Sequence, residues 1–597
     1  MAENTYSGMG AIPHEGGVAF RVWAPHAQAV TVKGEFNNWS DTANPLGHES
    51  NGYWYTDVPG AKAGQQYKFH LTNGDNQFDR VDPYARQVTN SVGNGVIYDG
   101  NAFDWQGDAF TLPPHNELVI YEMHVGSFFT NTEGKPGNFE TALEKVTHLK
   151  RLGINAVQVM PITEFSGDYS WGYNPANIFA VESAYGGPDA FKTFVRELHK
   201  QGLAVIHDVV YNHFGPSDLG LWQFDGWQEN DHGGIYFYND YRAETPWGST
   251  RPDYGRSEVR NFILDNAMMW LREYHMDGLR YDSTIYIRTT DGNVANSIPD
   301  GWWLMQQING DVRSASAHHI LIAEEMHSNP GITQAIAEGG AGFHAQWDAN
   351  FVHPIRKAVT LSQDEWRSMD AVRNSIAYNY NGDAFRRIIY SESHDEVANG
   401  KARVPYEINP GDPNGWHAQK RSTLAAGLVF TSPGIPMLFQ GQEFLQGEWF
   451  RDDSPLDWAN NTDYSGIVRL YRDLTHLRLN KEGFSRGLCG QFFNIFHVNQ
   501  AENVLAFQRW DQHGRGDDVI IVLNFSHVPH ENYDIGLPDT GLWKLRLNSD
   551  ATIYSPDFQG FNSFDSEGFP GGRDGLAAHG SVSIGPYSIL VYSQDTV

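Results

Sequence analysis

Apolar residues alternate with polar ones in short runs through the first hundred positions of the chain, at 18–23, 29–33, 52–55 and 66–71, each bounded by Gly, Asn or Pro. Period-two alternation marks half-buried strands, and runs this short with turns between them predict a β-sandwich of about 100 residues. Trp23, on an alternating strand, is expected in its core, whereas Trp39, in the turn-like Phe36-Asn-Asn-Trp-Ser40, is expected exposed. The stretch Thr111-Leu-Pro-Pro-His115 reads as the linker that follows this unit, assigned to residues 1–110.

From Glu117 the period changes. Residues 118–121 are apolar and strand-like, Leu143, Val146 and Leu149 recur at helical spacing, Gly153 follows, and 156–160 read as a second strand. The same order returns with Phe191, Phe194, Val195 and Leu198 before Gly202 and a strand at 203–208. It returns again with Phe262, Ile263, Trp270 and Leu271 before Gly278 and a strand carrying Arg280 and Asp282. Each glycine stands where a helix C-cap calls for a positive φ. A helix from 301 to 312 leads into a strand at 319–323, and further strands are read at 384–390 and 436–439. Such repeated βα units indicate a parallel sheet with helices outside, closed into a barrel or doubly wound. No G-x-G-x-x-G follows an early strand, which weakens the dinucleotide-binding alternative, so a (β/α)₈ TIM barrel over 111–488 is the expected fold.

After residue 490 the helical period disappears. Strands at 504–509, 518–524, 542–547 and 587–592, with Gly-rich loops between them and notably at 560–580, predict a C-terminal β-sandwich over 489–597 without a catalytic constellation.

Composition narrows the ligand classes. With 72 acidic and 42 basic residues, the formal charge of −30 argues against nucleic acid and strongly anionic ligands. Aromatics make up 13%, including 18 Trp and 28 Tyr, and flat amphipathic rings suit neutral ligands with apolar faces such as sugars, although large cores consume aromatics too. The single cysteine, Cys489, rules out an internal disulfide and multi-cysteine metal sites. The start lacks a basic, then apolar, leader, and no run of membrane-spanning length occurs, so a soluble cytoplasmic protein with no membrane partner is expected.

Chemistry in a parallel barrel lies on the loops beyond the C-terminal ends of the strands. Polar residues gather there: Asp208 with Asn212 and His213, Arg280 with Asp282, Glu324 with Glu325, and His394 with Asp395. Arg280 and Asp282, two apart, share one face of a strand. A guanidinium beside a buried carboxylate favours its ionised form, which can act as a nucleophile. An isolated R-x-D is more often a structural ion pair, and only its company along the chain favours chemistry.

That company carries a resemblance. Asp208-Val-Val-Tyr-Asn-His213, Gly278-Leu-Arg-Tyr-Asp282, Ile322-Ala-Glu-Glu325 and Glu392-Ser-His-Asp395 resemble, in order, the four motifs of the α-amylase superfamily of retaining α-glycosidases and transglycosylases. The likeness extends to Trp171-Gly-Tyr-Asn-Pro175 and Leu438-Phe-Gln-Gly-Gln-Glu443, and the N-terminal sandwich resembles the glycogen-binding-type module of branching and debranching enzymes. The resemblance implies that Asp282 is the nucleophile, Glu324 the general acid and base, and Asp395 the third acid that holds substrate hydroxyls. It implies hydroxyl-binding roles for His213 and His394, a stacking role for Tyr173, and for Asp208 the anchoring of Arg280. Glu325 is expected on the opposite side of the strand from Glu324. Asn212 matches a calcium-binding position of many amylases, an ion that branching-type relatives usually lack. No metal and no cofactor are expected.

The N-terminal module, the residues around Asp395 and Ala323-Glu-Glu resemble 1,4-α-glucan branching enzymes, implying an α-1,4-glucan or maltooligosaccharide as substrate and α-1,6 branches as product. The first motif instead resembles hydrolytic amylases and trehalose-releasing hydrolases, and the chain is short for a bacterial branching enzyme. An α-amylase-type or maltooligosyltrehalose-type hydrolase is therefore the alternative, and a non-catalytic glucan-binding protein a remote one.

Overall fold

The computed structural model describes residues 5–316 and 318–596; part of the N-terminal stretch read above for a leader, residues 1–4, lies outside them. The first region is a pair of antiparallel sheets. One joins Gly10–His14, Gly17–Trp23, Tyr53–Pro59 and Gly47–His48, and the other joins Ala29–Gly34, Gln66–Asn73, Gly95–Val96 and Gln87–Val88. Alternation does what the pattern requires: Tyr67, Phe69 and Leu71 point inward against Val30, Val32 and Phe20. Trp23 is core, at 6% exposure. Trp39 departs from expectation, being only half-exposed, with φ 60° and its N–H donating to the Gly34 carbonyl at 2.9 Å, because the turn closes back on the strand it leaves.

The second region is a closed barrel of parallel strands, β1 (Ile120–Met123), β2 (Ala156–Val159), β3 (Ala204–Val209), β4 (Gly278–Tyr281), β5 (Ile320–Ala323), β6 (Ala345–Trp347), β7 (Arg387–Ile389) and β8 (Ile435–Phe439), with β1 pairing β8. Helices cover it. In Gly187–Lys200, Phe191, Phe194, Val195 and Leu198 form one buried stripe, each side chain stabilising the packing by about 1.5–3 kcal/mol. Gly153 and Gly202 follow their helices with φ 88° and 79°, as expected of caps. Gly278 does not. Its helix, Ser257–Arg272, ends earlier, and Gly278 opens β4 because a Cβ there would strike the Ile320 carbonyl on β5. β6 has no counterpart in the sequence reading, and β7 is shorter than the run 384–390 suggested.

The third region is an antiparallel sheet that folds over on itself, so that Val504, Ile520 and Leu590 share a core with Ile535, Val582 and Ile584. The Gly-rich stretch taken for loop is a hairpin instead, Ser566–Arg573 with Leu576–Ile584, because its glycines still pair through the backbone. This region docks on the barrel helix Trp416–Thr431: Ile589 packs where a Cβ on Gly427 would lie, and Lys420 is fully buried 2.6 Å from Asp550. No helix among the described residues is long and apolar enough to cross a membrane.

Candidate active site

Parallel register does the first work. Asp208 on β3 lies opposite Arg280 on β4, and Arg280 Nη1 donates to both Asp208 oxygens at 2.8 and 2.7 Å. β4 ends at Tyr281 and β5 at Ala323, so Asp282 and Glu324 are the next residues beyond two adjacent strands. The Arg280 guanidinium reaches both: Nη1 is 3.2 Å from Asp282 Oδ1 and Nη2 is 3.0 Å from Glu324 Oε2. The two carboxyl groups thus sit on one buried cation, whose flat face lies 4.3 Å from the Trp347 ring on β6. Glu325 points away, bonded by Arg288 at 3.0 Å, as alternation along a strand requires.

Ser283, directly after Asp282, has φ 39° and ψ 60°, a left-handed conformation rare for a residue with a Cβ. It aims the Ser283 N–H at Glu324 Oε2, 2.7 Å away. Asn212, beyond β3, donates through Nδ2 to Asp282 Oδ2 at 2.6 Å and to the Asp282 carbonyl at 2.8 Å. The amide nitrogen of Asn212 is thus bonded to Asp282 twice over.

His394 and Asp395 lie beyond β7. His394 donates from Nδ1 to Glu122 Oε1 at 2.6 Å and stacks on Tyr173 at 5.0 Å, and the Tyr173 hydroxyl donates to Asp208 Oδ2 at 2.7 Å. Asp395 joins the cluster through His394 Nε2, 3.5 Å from its Oδ2, with a side chain 41% exposed. Asp282 and Glu324 are nearly closed off, at 11% and 10%. His213 pairs through Nδ1 with Asn212 Oδ1, and its ring stacks 4.6 Å from Trp247.

Charges follow from this packing. At Asp282, burial and the adjacent Glu324 carboxylate push the pKa well above the usual range, while Arg280 and Asn212 pull it down. The expectation that Arg280 keeps Asp282 charged thus meets an opposing push, because burial and the neighbouring Glu324 act against the guanidinium. Burial also raises Asp208 to about 6, against the pull of Arg280. Burial opposes charge on His394, but Asp395 and Glu122 outweigh it and lift the pKa to about 9, whereas burial and Arg251 depress His213 to about 3. His394 is thus a cation at neutral pH and His213 neutral.

Sequence reading missed Glu122, Asn212 as a partner of Asp282, and Trp347. A carboxylate inside the apolar run Ile120-Tyr-Glu-Met123 was the available signal, because an ionisable residue in a buried strand needs a reason. On the N-terminal module, Asp41, His70 and Asp79 come within reach of one cation, but Lys33 Nζ already bonds both acids, at 2.6 and 3.0 Å.

A closed parallel barrel with acidic residues on one guanidinium beyond its strand ends, flanked by β-domains on both sides, defines a carbohydrate-active barrel enzyme of the α-amylase type. Comparison with known proteins agrees. "Alpha amylase, catalytic domain" matches residues 84–222 and 221–469, "Carbohydrate-binding module 48 (Isoamylase N-terminal domain)" matches 8–85, and "Alpha amylase, C-terminal all-beta domain" matches 496–595. The chain belongs to the α-amylase family and is a glycosidase or transglycosylase of that superfamily. It is 33% identical over 580 residues to a 1,4-alpha-glucan branching enzyme, GlgB, of Corynebacterium jeikeium, covering 92% of this chain and 79% of that one. It is 32% identical over 587 residues to the enzyme of the same name from Salinibacter ruber, covering 92% and 90%. Among solved structures, its fold matches a putative alpha amylase from Salmonella typhimurium with TM-score 0.74, at 22% identity, over 99% of this chain and 100% of that one. It matches a pullulanase from Bacillus acidopullulyticus with TM-score 0.74, at 23% identity, over 100% and 76%.

Proposed function

We propose that the protein is a retaining α-1,4-glucan branching enzyme. Asp282 attacks the anomeric carbon of a glucan bound at the barrel mouth while Glu324 gives its proton to the departing glycosidic oxygen, leaving a glycosyl ester on Asp282. Glu324, now ionised, takes the proton of a glucan 6-hydroxyl, whose oxygen displaces Asp282 and closes an α-1,6 bond. The observation that carries this reading is the single guanidinium touching both carboxyl groups. A nucleophile and a general acid must lie side by side at one site, and Arg280 with Asn212 stabilises the anion on Asp282. Asp395, open to solvent, is suited to hold substrate hydroxyls, the cation His394 and neutral His213 to bond them, and Tyr173 to stack under the reacting sugar. Asp208 holds Arg280.

Transfer rather than hydrolysis rests on the relatives named 1,4-alpha-glucan branching enzyme across about nine-tenths of the chain. The hydrolase reading is kept by one observation, the resemblance of Asp208-Val-Val-Tyr-Asn-His213 to hydrolytic amylases. Branching conserves the number of glycosidic bonds. With amylose, iodine staining should fall and α-1,6 linkages should appear by proton NMR and isoamylase digestion, with few new reducing ends. Reducing ends rising in step with the loss of colour, without an α-1,6 signal, select the α-amylase-type hydrolase; trehalose release from a trehalose-capped oligomer selects the trehalohydrolase.

A further inference from the structure

The floor of the barrel, the end at which β5, β6 and β7 begin, holds a cavity of about 350 Å³, a size that takes a small organic ligand. His115 lines it from the end of the linker, Arg313 from the helix Pro299–Ala315, His344 from the residue before β6, and Asp383 and Arg386 from the chain before β7. An overall charge of −30 argues against a general affinity for anions, so two arginines and two histidines facing one aspartate run against the trend of the chain. Each arginine is anchored through part of its fork only. Arg313 donates from Nε and Nη2 to the Gly342 carbonyl at 3.0 and 2.7 Å, and Arg386 from Nη1 to the Thr333 carbonyl at 2.9 Å, with Asp383 Oδ2 3.5 Å from its Nε. Among the described residues, Arg313 Nη1 and Arg386 Nη2 donate no hydrogen bond. His344 Nδ1 accepts the Leu321 N–H at 3.0 Å, which puts the ring proton on Nε2, and that N–H has no acceptor among the described residues either. The His115 ring meets His344 edge to face at 4.7 Å.

A second observation adds positive charge behind the cavity. Arg478 and Arg509 are fully buried, and their guanidiniums donate only to backbone carbonyls and the Cys489 sulfur. Arg478 lies 5.7 Å from the ring of Phe385, which is itself part of the cavity wall. These cations repel one another. After burial, Arg386 is what lowers the pKa of Arg313, and Arg478 is the next influence that lowers Arg509. Burial and then Arg313 hold His115 down to about 4 and depress His344 as well, so both rings are neutral N–H donors at pH 7. An anion seated among them relieves the repulsion and gives the idle donors an acceptor. Planar guanidinium forks with N–H groups around them match the oxygens of a phosphate.

We infer that the barrel floor binds a phosphate group, as inorganic phosphate or as the ester of a small sugar, with Arg313, Arg386, His115 and His344 supplying the donors. The site stands at the opposite end of the strands from Asp282, where residues of a barrel serve stability and not chemistry. A ligand that binds only the folded chain raises its melting temperature by mass action. Inorganic phosphate should therefore raise the melting temperature of the full chain above that in sodium chloride of equal ionic strength. By calorimetry, Arg313→Gln and Arg386→Gln should each weaken phosphate binding about tenfold, the loss of one charge-assisted contact, and leave turnover of amylose within about twofold. Arg313 is exposed, so Arg313→Gln keeps the test valid should Arg386→Gln fold poorly, and Arg386→Lys, which keeps the charge, should retain part of the affinity. Glucose 6-phosphate binding more tightly than phosphate assigns the site to the ester, and equal or weaker binding assigns it to the free ion; either supports the inference. Three results overturn it: no calorimetric binding of either ligand to the native chain, a shift in melting temperature matched by sodium chloride, or phosphate binding unchanged in the Arg313→Gln/Arg386→Gln double variant.

Discussion

Asp282 is pulled in two directions, upward in pKa by burial and Glu324, downward by Arg280 and Asn212. Asp282→Asn removes the nucleophile without changing the shape of the side chain, and activity should fall by at least about 10³-fold while the melting temperature holds. A fluorinated α-glucosyl donor should label Asp282 in the native enzyme. The upward push places the acid limb of kcat/KM above the ordinary carboxylate value of about 4, since the nucleophile is lost when Asp282 takes up a proton. Asn212→Ala deletes one of the two downward influences, so that limb should move to higher pH; a limb that stays put would show that the amide does not tune Asp282. His394 adds a stability effect of opposite sense. Its pKa rises from the ordinary 6.5 to about 9 on folding, so the contribution is complete below pH 6.5 and is lost as pH climbs through about 9. Glu122→Gln should flatten the decline in melting temperature across that window. The coupling of His394 to Glu122 is not written in local sequence, because the two are 272 residues apart.

At the scale of elements, the helix Pro299–Ala315 crosses so near the helix after Asp282 that a Cβ on Gly301 would fall on the Ile287 carbonyl. Gly301→Ala should therefore cost about 1–3 kcal/mol in stability, and it should also lower activity, because the displaced backbone leads straight to Ser283 and Asp282. Loss of stability with full activity would show that the strain is absorbed elsewhere. Helices were the most legible elements, since stripes such as Phe191, Phe194, Val195 and Leu198 repeat over several turns. β6 was the least legible: Ala345-Gln-Trp347 is too short to show a period, and its strand state comes from neighbours on both sides. Gly278 looked like a cap because position alone does not separate a left-handed φ from a close approach between strands.

Across the whole molecule, the flanking regions grip the barrel through buried polar contacts as well as apolar ones. Lys420 and Asp550 are both fully buried, and Asp550→Ala would strand an ammonium in the interface, which costs about 3–5 kcal/mol. A marked fall in melting temperature is expected, with most of it recovered when Lys420→Met is added; no recovery would mean that Asp550 acts through the Phe561 N–H it also binds at 2.8 Å. At the other end, the N-terminal module braces the excursion after β3: His26 bonds Asp225 at 2.9 Å and Arg80 donates to the Phe224 and Gln223 carbonyls, both at 2.9 Å. That module therefore holds the excursion at residues 223–225.

The sequence by itself determined what depends on short-range repetition and residue type. The period-two runs, the βα repeat and the positions of Asp282, Glu324 and Asp395 after apolar runs are all local, so the chain alone carries them. Only the tertiary structure decided which charges share a partner. Arg280 meets Asp208 from β3 and Glu324 from β5 because parallel strands align residues dozens of positions apart. The protonation of Asp282 and the charge on His394 are decided the same way. Each is a balance of burial against neighbours brought in from other loops, and that balance is set by closure of the barrel and not by any stretch of chain.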